Sequence, residues 1–195
     1  EAIKEIHHLS ILVYNESKKL VDCYDYTATG STDYDHYNLN DKVERTDEDA
    51  ENGATAESYT PQATLKMILP YGKYYMYAVA NMSDLKSTHA EAIKTVDGLK
   101  SIPLTWSPQF VKNNKATTNH QMFGHFTTEE QKGSSDDAPV VINAPSINLH
   151  AWIRRAASKV TIAYDGSNLY ENIYIYIHSA QIKDIPAQCY LGKDN

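Results

Sequence analysis

The side chains able to do chemistry are scattered along this chain, and their spacing limits what they could do. His7 and His8 are adjacent. In a strand, neighbours point to opposite faces, so this pair cannot close on one metal ion. His120 and His125 flank an apolar patch with no carboxylate or cysteine at ligand spacing. The run Asp33-Tyr34-Asp35-His36-Tyr37-Asn38, with Glu44 in the twelfth place, has the outline of a calcium loop. Tyr37 stands where that loop needs an oxygen ligand, and Asn38 replaces the glycine of its sharp turn. Two readings remain, an irregular calcium site and a solvated acidic loop, the second being the default for such a composition. Ser10, Ser158 and Ser179 stand in strand patterns without the glycine elbow of a hydrolase nucleophile. The sequence has no glycine-rich phosphate loop. No catalytic, cofactor-binding or metal-binding residue is assigned, and the chain is not expected to be an enzyme.

Charge and composition narrow the classes further. The net charge of −7 falls on the stretch from Thr27 to Gln62, which holds nine acidic and two basic residues. A phosphate backbone would be repelled there and would find no basic stripe elsewhere, so no nucleic-acid partner is expected. Cys23 and Cys189 are far apart in sequence, which fits either one disulfide in an oxidising compartment or two unrelated buried thiols. Fifteen tyrosines against three phenylalanines and two tryptophans favour sheet with partly exposed faces, because tyrosine joins strand propensity to a hydroxyl that stays wet. No apolar run approaches the roughly 20 residues of a membrane helix. No export signal precedes the first strand, so one is expected to have been removed or never to have existed.

The elements that would position these residues follow from periodicity. Leu9, Ile11 and Val13 alternate with His8, Ser10 and Leu12, giving a half-buried first strand over Ile6 to Tyr14. A second strand runs from Leu20 to Thr27, with Cys23 on one side and Tyr24 and Tyr26 on the other. Residues 27 to 62 read as a long surface loop, and 33 to 57 are expected outside the core. Ala63, Leu65, Met67 and Leu69 alternate with Thr64, Lys66 and Ile68, and Pro70-Tyr71-Gly72-Lys73 would turn them into a hairpin with Tyr74 to Asn81. Thr88 to Glu91 fits a capping box for one short helix carrying Ala90, Ile93 and Val96 and closed by Gly98. Ser101 to Trp106, Gln121 to Phe126 and Val140 to Asn143 read as brief edge strands. Alternation returns over Ile147 to Ile153, Val160 to Ile162 and Ile173 to Ile177. Many short strands and one helix predict an all-β sandwich.

Three segments together resemble the fimbrillin-like fimbrial subunits of Bacteroidales: IHHLSILVYN from Ile6, LPYGKYYMYAVANMSDL from Leu69, and INLHAWIRRAASKVTI from Ile147. The resemblance implies a transthyretin-like Greek-key β-sandwich with one short helix. It would be an N-terminal domain over 1–185, with the long acidic loop at 27–62, and 186–195 would begin the connection to a second domain. It implies a structural or adhesive subunit of a surface fimbria, or pilus, at the outer membrane. Such a subunit is held to the membrane only through a lipoprotein anchor and assembles with other fimbrial subunits by donor-strand exchange. Host or bacterial surface ligands are further partners of such a fibre. Family members carry a lipidated cysteine after the export signal, and no such cysteine stands near Glu1, so the resemblance implies a processed or trimmed chain. The first strand is then the expected rim of the acceptor groove, lined by Leu9, Ile11 and Val13. The alternative is a cell-surface carbohydrate-binding module whose tyrosines, Tyr74 and Tyr176 among them, stack on sugar rings.

Overall fold

The computed structural model of the chain describes residues 6–32, 35–43, 60–104, 111–112, 115–116, 121–128, 138–156, 176, 178–179, 181, 183 and 188–193. Strand β1 (His8–Tyr14) leads through the turn Asn15–Lys18 into β2 (Leu20–Thr27). Asn15 donates its N–H to the Lys19 carbonyl at 2.9 Å, and Lys18 takes the left-handed conformation, φ 57°, that brings the chain back. Two small ladders follow: β3 (Thr29–Ser31) with β4 (His36–Asn38), and β5 (Asp41–Val43) with β6 (Thr60–Gln62). Strand β7 (Gly72–Ala80) precedes the helical section of α1 (Leu85–Thr88), a 3-10 turn (Ala92–Lys94) and α2 (Val96–Lys100). The remaining strands are β8 (Val111–Lys112), β9 (Lys115–Ala116), β10 (Met122–Thr127), β11 (Val140–Ile142), β12 (His150–Ala151) and β13 (Arg154–Arg155).

The described chain is mostly β, with antiparallel sheets. The main sheet runs β12-β10-β7-β1-β2, with β11 on β7 and β13 on β10. β1 lies between β2 and β7, with Leu9 opposite Tyr26 and Ala80, and Leu12 opposite Cys23 and Tyr77. The first strand is therefore buried on both faces, from Leu9 to Tyr14, rather than half buried. Leu9, Ile11 and Val13 point into one core cluster with Tyr26, Met76 and Met122. Leu12 and Tyr14 point into the other with Cys23, Tyr77 and Val79.

Different material covers each face. On the first, the extended segment 63–69 lays Ala63, Leu65, Met67 and Leu69 against the core, and Leu149, Ala151 and Ile153 do the same. On the second, Leu85, Ile93, Val96 and Leu99 of the helical section form the cover. Burying one such side chain is worth about 1.5–3 kcal/mol, so each layer holds its sheet face shut. The alternation foreseen for 63–69 is present, but the segment does not pair with β7 as a hairpin. β7 has no edge to offer it, because β1, β10 and β11 occupy its ladder positions.

The single helix expected from Thr88 to Gly98 is instead two short α-helices and a 3-10 turn. Thr88 turns its hydroxyl back to the Asp84 carbonyl at 2.7 Å and ends α1. Asp84 caps α1, accepting from the Lys86 N–H at 3.1 Å. Thr95 caps α2, accepting from the Gly98 N–H at 3.1 Å. Gly98 lies inside α2 rather than closing it, and the position takes glycine because the Ala92 carbonyl sits where a Cβ would be.

Three further expectations change. Gln121 to Phe126 is no edge strand, since β10 is paired on both sides. Within 27–62, Leu39 is fully buried and Tyr37 packs edge-on against Tyr26 at 5.1 Å, so that part of the stretch belongs to the core. Of the stretch 186–195, expected to begin the connection to a second domain, the described part, 188–193, places Leu191 in the helix-side core. Its backbone is tied to residues 100–104, with Leu191 N–H to Ile102 O and Leu104 N–H to Cys189 O, both 2.9 Å. Among the described residues no helix is long and apolar enough to cross a membrane.

Candidate functional site

The expected groove rim is not where the open backbone lies. Leu9, Ile11 and Val13 sit in the packed core of a strand hydrogen-bonded along both edges, so no acceptor edge runs beside them. The sheet ends one strand further out, at β2, whose outer side carries no paired strand among the described residues. An edge strand presents unpaired N–H and C=O groups that can template another strand.

The chemistry of that edge can be read residue by residue. Cys23 donates its N–H to the Asp22 carboxylate at 2.8 Å, so this amide points away from β1. In an antiparallel ladder the direction alternates, which turns the backbone groups of Asp25 and Thr27 outward as well. Val21 is 54% exposed, and Asp22 and Asp25 lie at the surface. Asp25 is held on the helix side of the sheet. It accepts from the hydroxyl of buried Ser10 at 2.6 Å, and its other oxygen is 3.6 Å from Lys86 Nζ. Burial, then the neighbouring Asp25 carboxylate, pushes the Cys23 thiol up to about 12, with Lys86 opposing. Cys23 is thus an inert core thiol that lends the edge its amide and not its sulfur. It and Cys189 are both free.

Among the described residues, the others singled out in the sequence do not converge. His7 is exposed and His8 half-buried on the opposite face, with a buried Nδ1 that has no hydrogen-bond partner. Asp35 of the calcium-like run is paired with Lys66 at 3.1 Å, and that hydrogen bond holds its carboxyl below the ordinary range. Asp33, Tyr34 and Glu44 lie outside the described residues. Among the described residues no three His, Cys, Asp or Glu side chains gather as metal ligands. Ser10 is buried against Asp25, Ser179 is exposed, and His120 and Ser158 lie outside the described residues.

The tyrosines divide in an unforeseen way. Tyr74 is buried and Tyr14 and Tyr77 pack edge-on in the helix-side core, so the tyrosine row of β7 is core and not a sugar platform. Tyr14 donates its hydroxyl to the Ile93 carbonyl at 2.9 Å, and burial raises its ionisation well above the phenolic norm. Tyr176 is 75% exposed. Trp152 is also exposed, at 47%, between core-facing Ala151 and Ile153. The residue that sequence reasoning passed over is Asp22. Its signal was an acidic residue inside a strand pattern, the usual guard of a sheet edge.

No family model matches the chain, and it has no significant match among curated proteins or solved structures.

Proposed function

We propose that this chain is a structural domain of a bacterial surface fimbria, a fimbrillin-like subunit that joins its neighbours by strand addition, and that its fold is a transthyretin-like Greek-key β-sandwich. The observation that carries the reading is the outer edge of β2, unpaired among the described residues and continuous with a sheet whose interior strands are closed on both sides. Backbone pairing along such an edge supplies affinity, and side chains of alternate residues supply register. The sandwich reading is supported by the first sheet face, covered by extended segments rather than helices. The fimbrial reading is supported by the three segments that resemble that family. In this reading the partners are other fimbrial subunits, the location is the cell surface, and membrane contact comes through a lipid anchor.

The test is to add a peptide copying the donor strand of a cognate subunit. It should raise the melting temperature, as any ligand of the native state does, and slow hydrogen exchange at the outward β2 amides. Unchanged stability together with unchanged exchange at Cys23 and Asp25 would sink strand addition at this edge.

A second reading, glycan binding, draws on exposed Trp152 rather than on Tyr74. A glycan array that lights up with the wild-type chain and goes dark with Trp152→Ala would favour it.

A further inference from the structure

The β2 edge is guarded by the residue that would have to yield when a strand adds. Of its outward amides, that of Cys23 is already taken by the carboxylate of its own neighbour, Asp22, at 2.8 Å. An incoming strand must displace this contact to pair there, which strips a carboxylate of its hydrogen bond beside a forming ladder. Asp22 is exposed and has register partner Val13 on its inner side, so on the outer side a docking strand would place a side chain directly against it. The charges around Cys23 are one-sided: Asp22, Asp25 and Asp84 act against Lys86 alone. Lys86 already faces Asp25, which also accepts from Ser10, so the carboxylate left for a newcomer is that of Asp22.

We infer that Asp22 sets the specificity of this edge: the strand that adds to β2 is a cationic one, carrying Lys or Arg opposite Asp22 on the face of Tyr24 and Tyr26. The cation offers the carboxylate a new partner as the Cys23 N–H is released to the incoming carbonyl. A neutral or acidic strand leaves Asp22 without one. The same guard discourages a second copy of β2 in the antiparallel register centred on Asp22, which sets the two Asp22 side chains against each other. This inference rests on the strand-addition reading and goes beyond it by naming the chemistry of the partner and the residue that selects it.

The probes are two end-capped, eight-residue peptides of alternating threonine and valine, identical except for one central lysine or glutamate. Binding is read by titration calorimetry and by hydrogen exchange at the β2 amides, with the wild-type chain, Asp22→Asn and Asp22→Lys. The wild type should favour the lysine peptide by about fivefold or more, from replacing a like-charge cross-strand pair by an opposite one. Asp22→Asn, which keeps an oxygen for the Cys23 N–H, should lose the preference, and Asp22→Lys should reverse it. Peptides that bind and protect β2 with the same preference in all three chains would overturn the role of Asp22 while leaving strand addition standing. Peptides that bind none of the three, with β2 exchange unchanged, would overturn both.

Discussion

Leu39 sits in the middle of an acidic, irregular stretch, yet its side chain is fully buried. Leu39→Ala removes three carbons from the cluster that contains Tyr26 and Val13. At about 0.8 kcal/mol per buried methylene the transfer loss is roughly 2.4 kcal/mol. Its surroundings have little freedom to collapse into the gap. The Leu39 N–H is held by the Ala28 carbonyl at 2.9 Å. The next residue, Asn40, clamps Ile6 with two hydrogen bonds, accepting at 2.6 Å and donating at 2.9 Å. Adding the cavity term brings the expected cost to about 3–5 kcal/mol. For a chain of this size that corresponds to a fall in melting temperature of roughly 6–20 °C. Urea unfolding followed by fluorescence and circular dichroism would measure it, with an unchanged m-value confirming that only stability moved. The exposed control Val21→Ser should stay within about 0.5 kcal/mol. A Leu39→Ala loss below about 1 kcal/mol would mean that the stretch is peripheral after all, and the argument from its burial would fail.

Tyr14→Phe leaves the buried Ile93 carbonyl without its 2.9 Å donor and should cost about 1–3 kcal/mol in the same assay, with no loss meaning that water serves the carbonyl instead. Gly98→Ala should destabilise by about 1–3 kcal/mol although alanine is the better helix former, because the Ala92 carbonyl occupies the Cβ position; a neutral or stabilising result in thermal melts would contradict that packing. Stability should also fall with rising pH from about 9, where the thiol of unfolded Cys23 ionises, to about 12, where the native one does. The raised native value makes the unfolded chain release its proton first, so this contribution is complete below pH 9 and lost across that window. Buried Tyr14 and Tyr26 act in the same direction, and a flat base limb in urea unfolding would show that none of the three is sequestered.

What the sequence made legible were the faces, and what it left hidden were the neighbours. Strand alternation reports which side of a segment is apolar, so the bounds of β2 and the opposition of Cys23 to Tyr24 and Tyr26 could be read directly. Pairing is non-local, and 63–69 has the pattern of a strand without being one, because the ladder positions of β7 are taken by partners distant in the chain. β1 misled for a related reason. His8 and Ser10 made its second face look wet, but Ser10 is buried with its hydroxyl satisfied by Asp25, which is how a polar residue enters a core at little cost. The helical section defeated local rules because Thr88 bonds backward and Thr95 caps forward, a choice fixed by packing of Ile93 and Val96 on the sheet rather than by spacing. The candidate edge was hidden by the same logic. Alternation alone does not distinguish β1 from β2 as the outer strand, since both alternate and both carry a polar side chain on the helix-side face. The difference is that β2 carries two carboxylates, Asp22 and Asp25, one on each face, and β1 carries none. Charges on a strand that has no room for them inside a sheet are a sign of its position. Asp22 therefore fits the place of β2 as the outer strand among the described residues, and under the proposed strand addition whatever covers it must answer a negative charge.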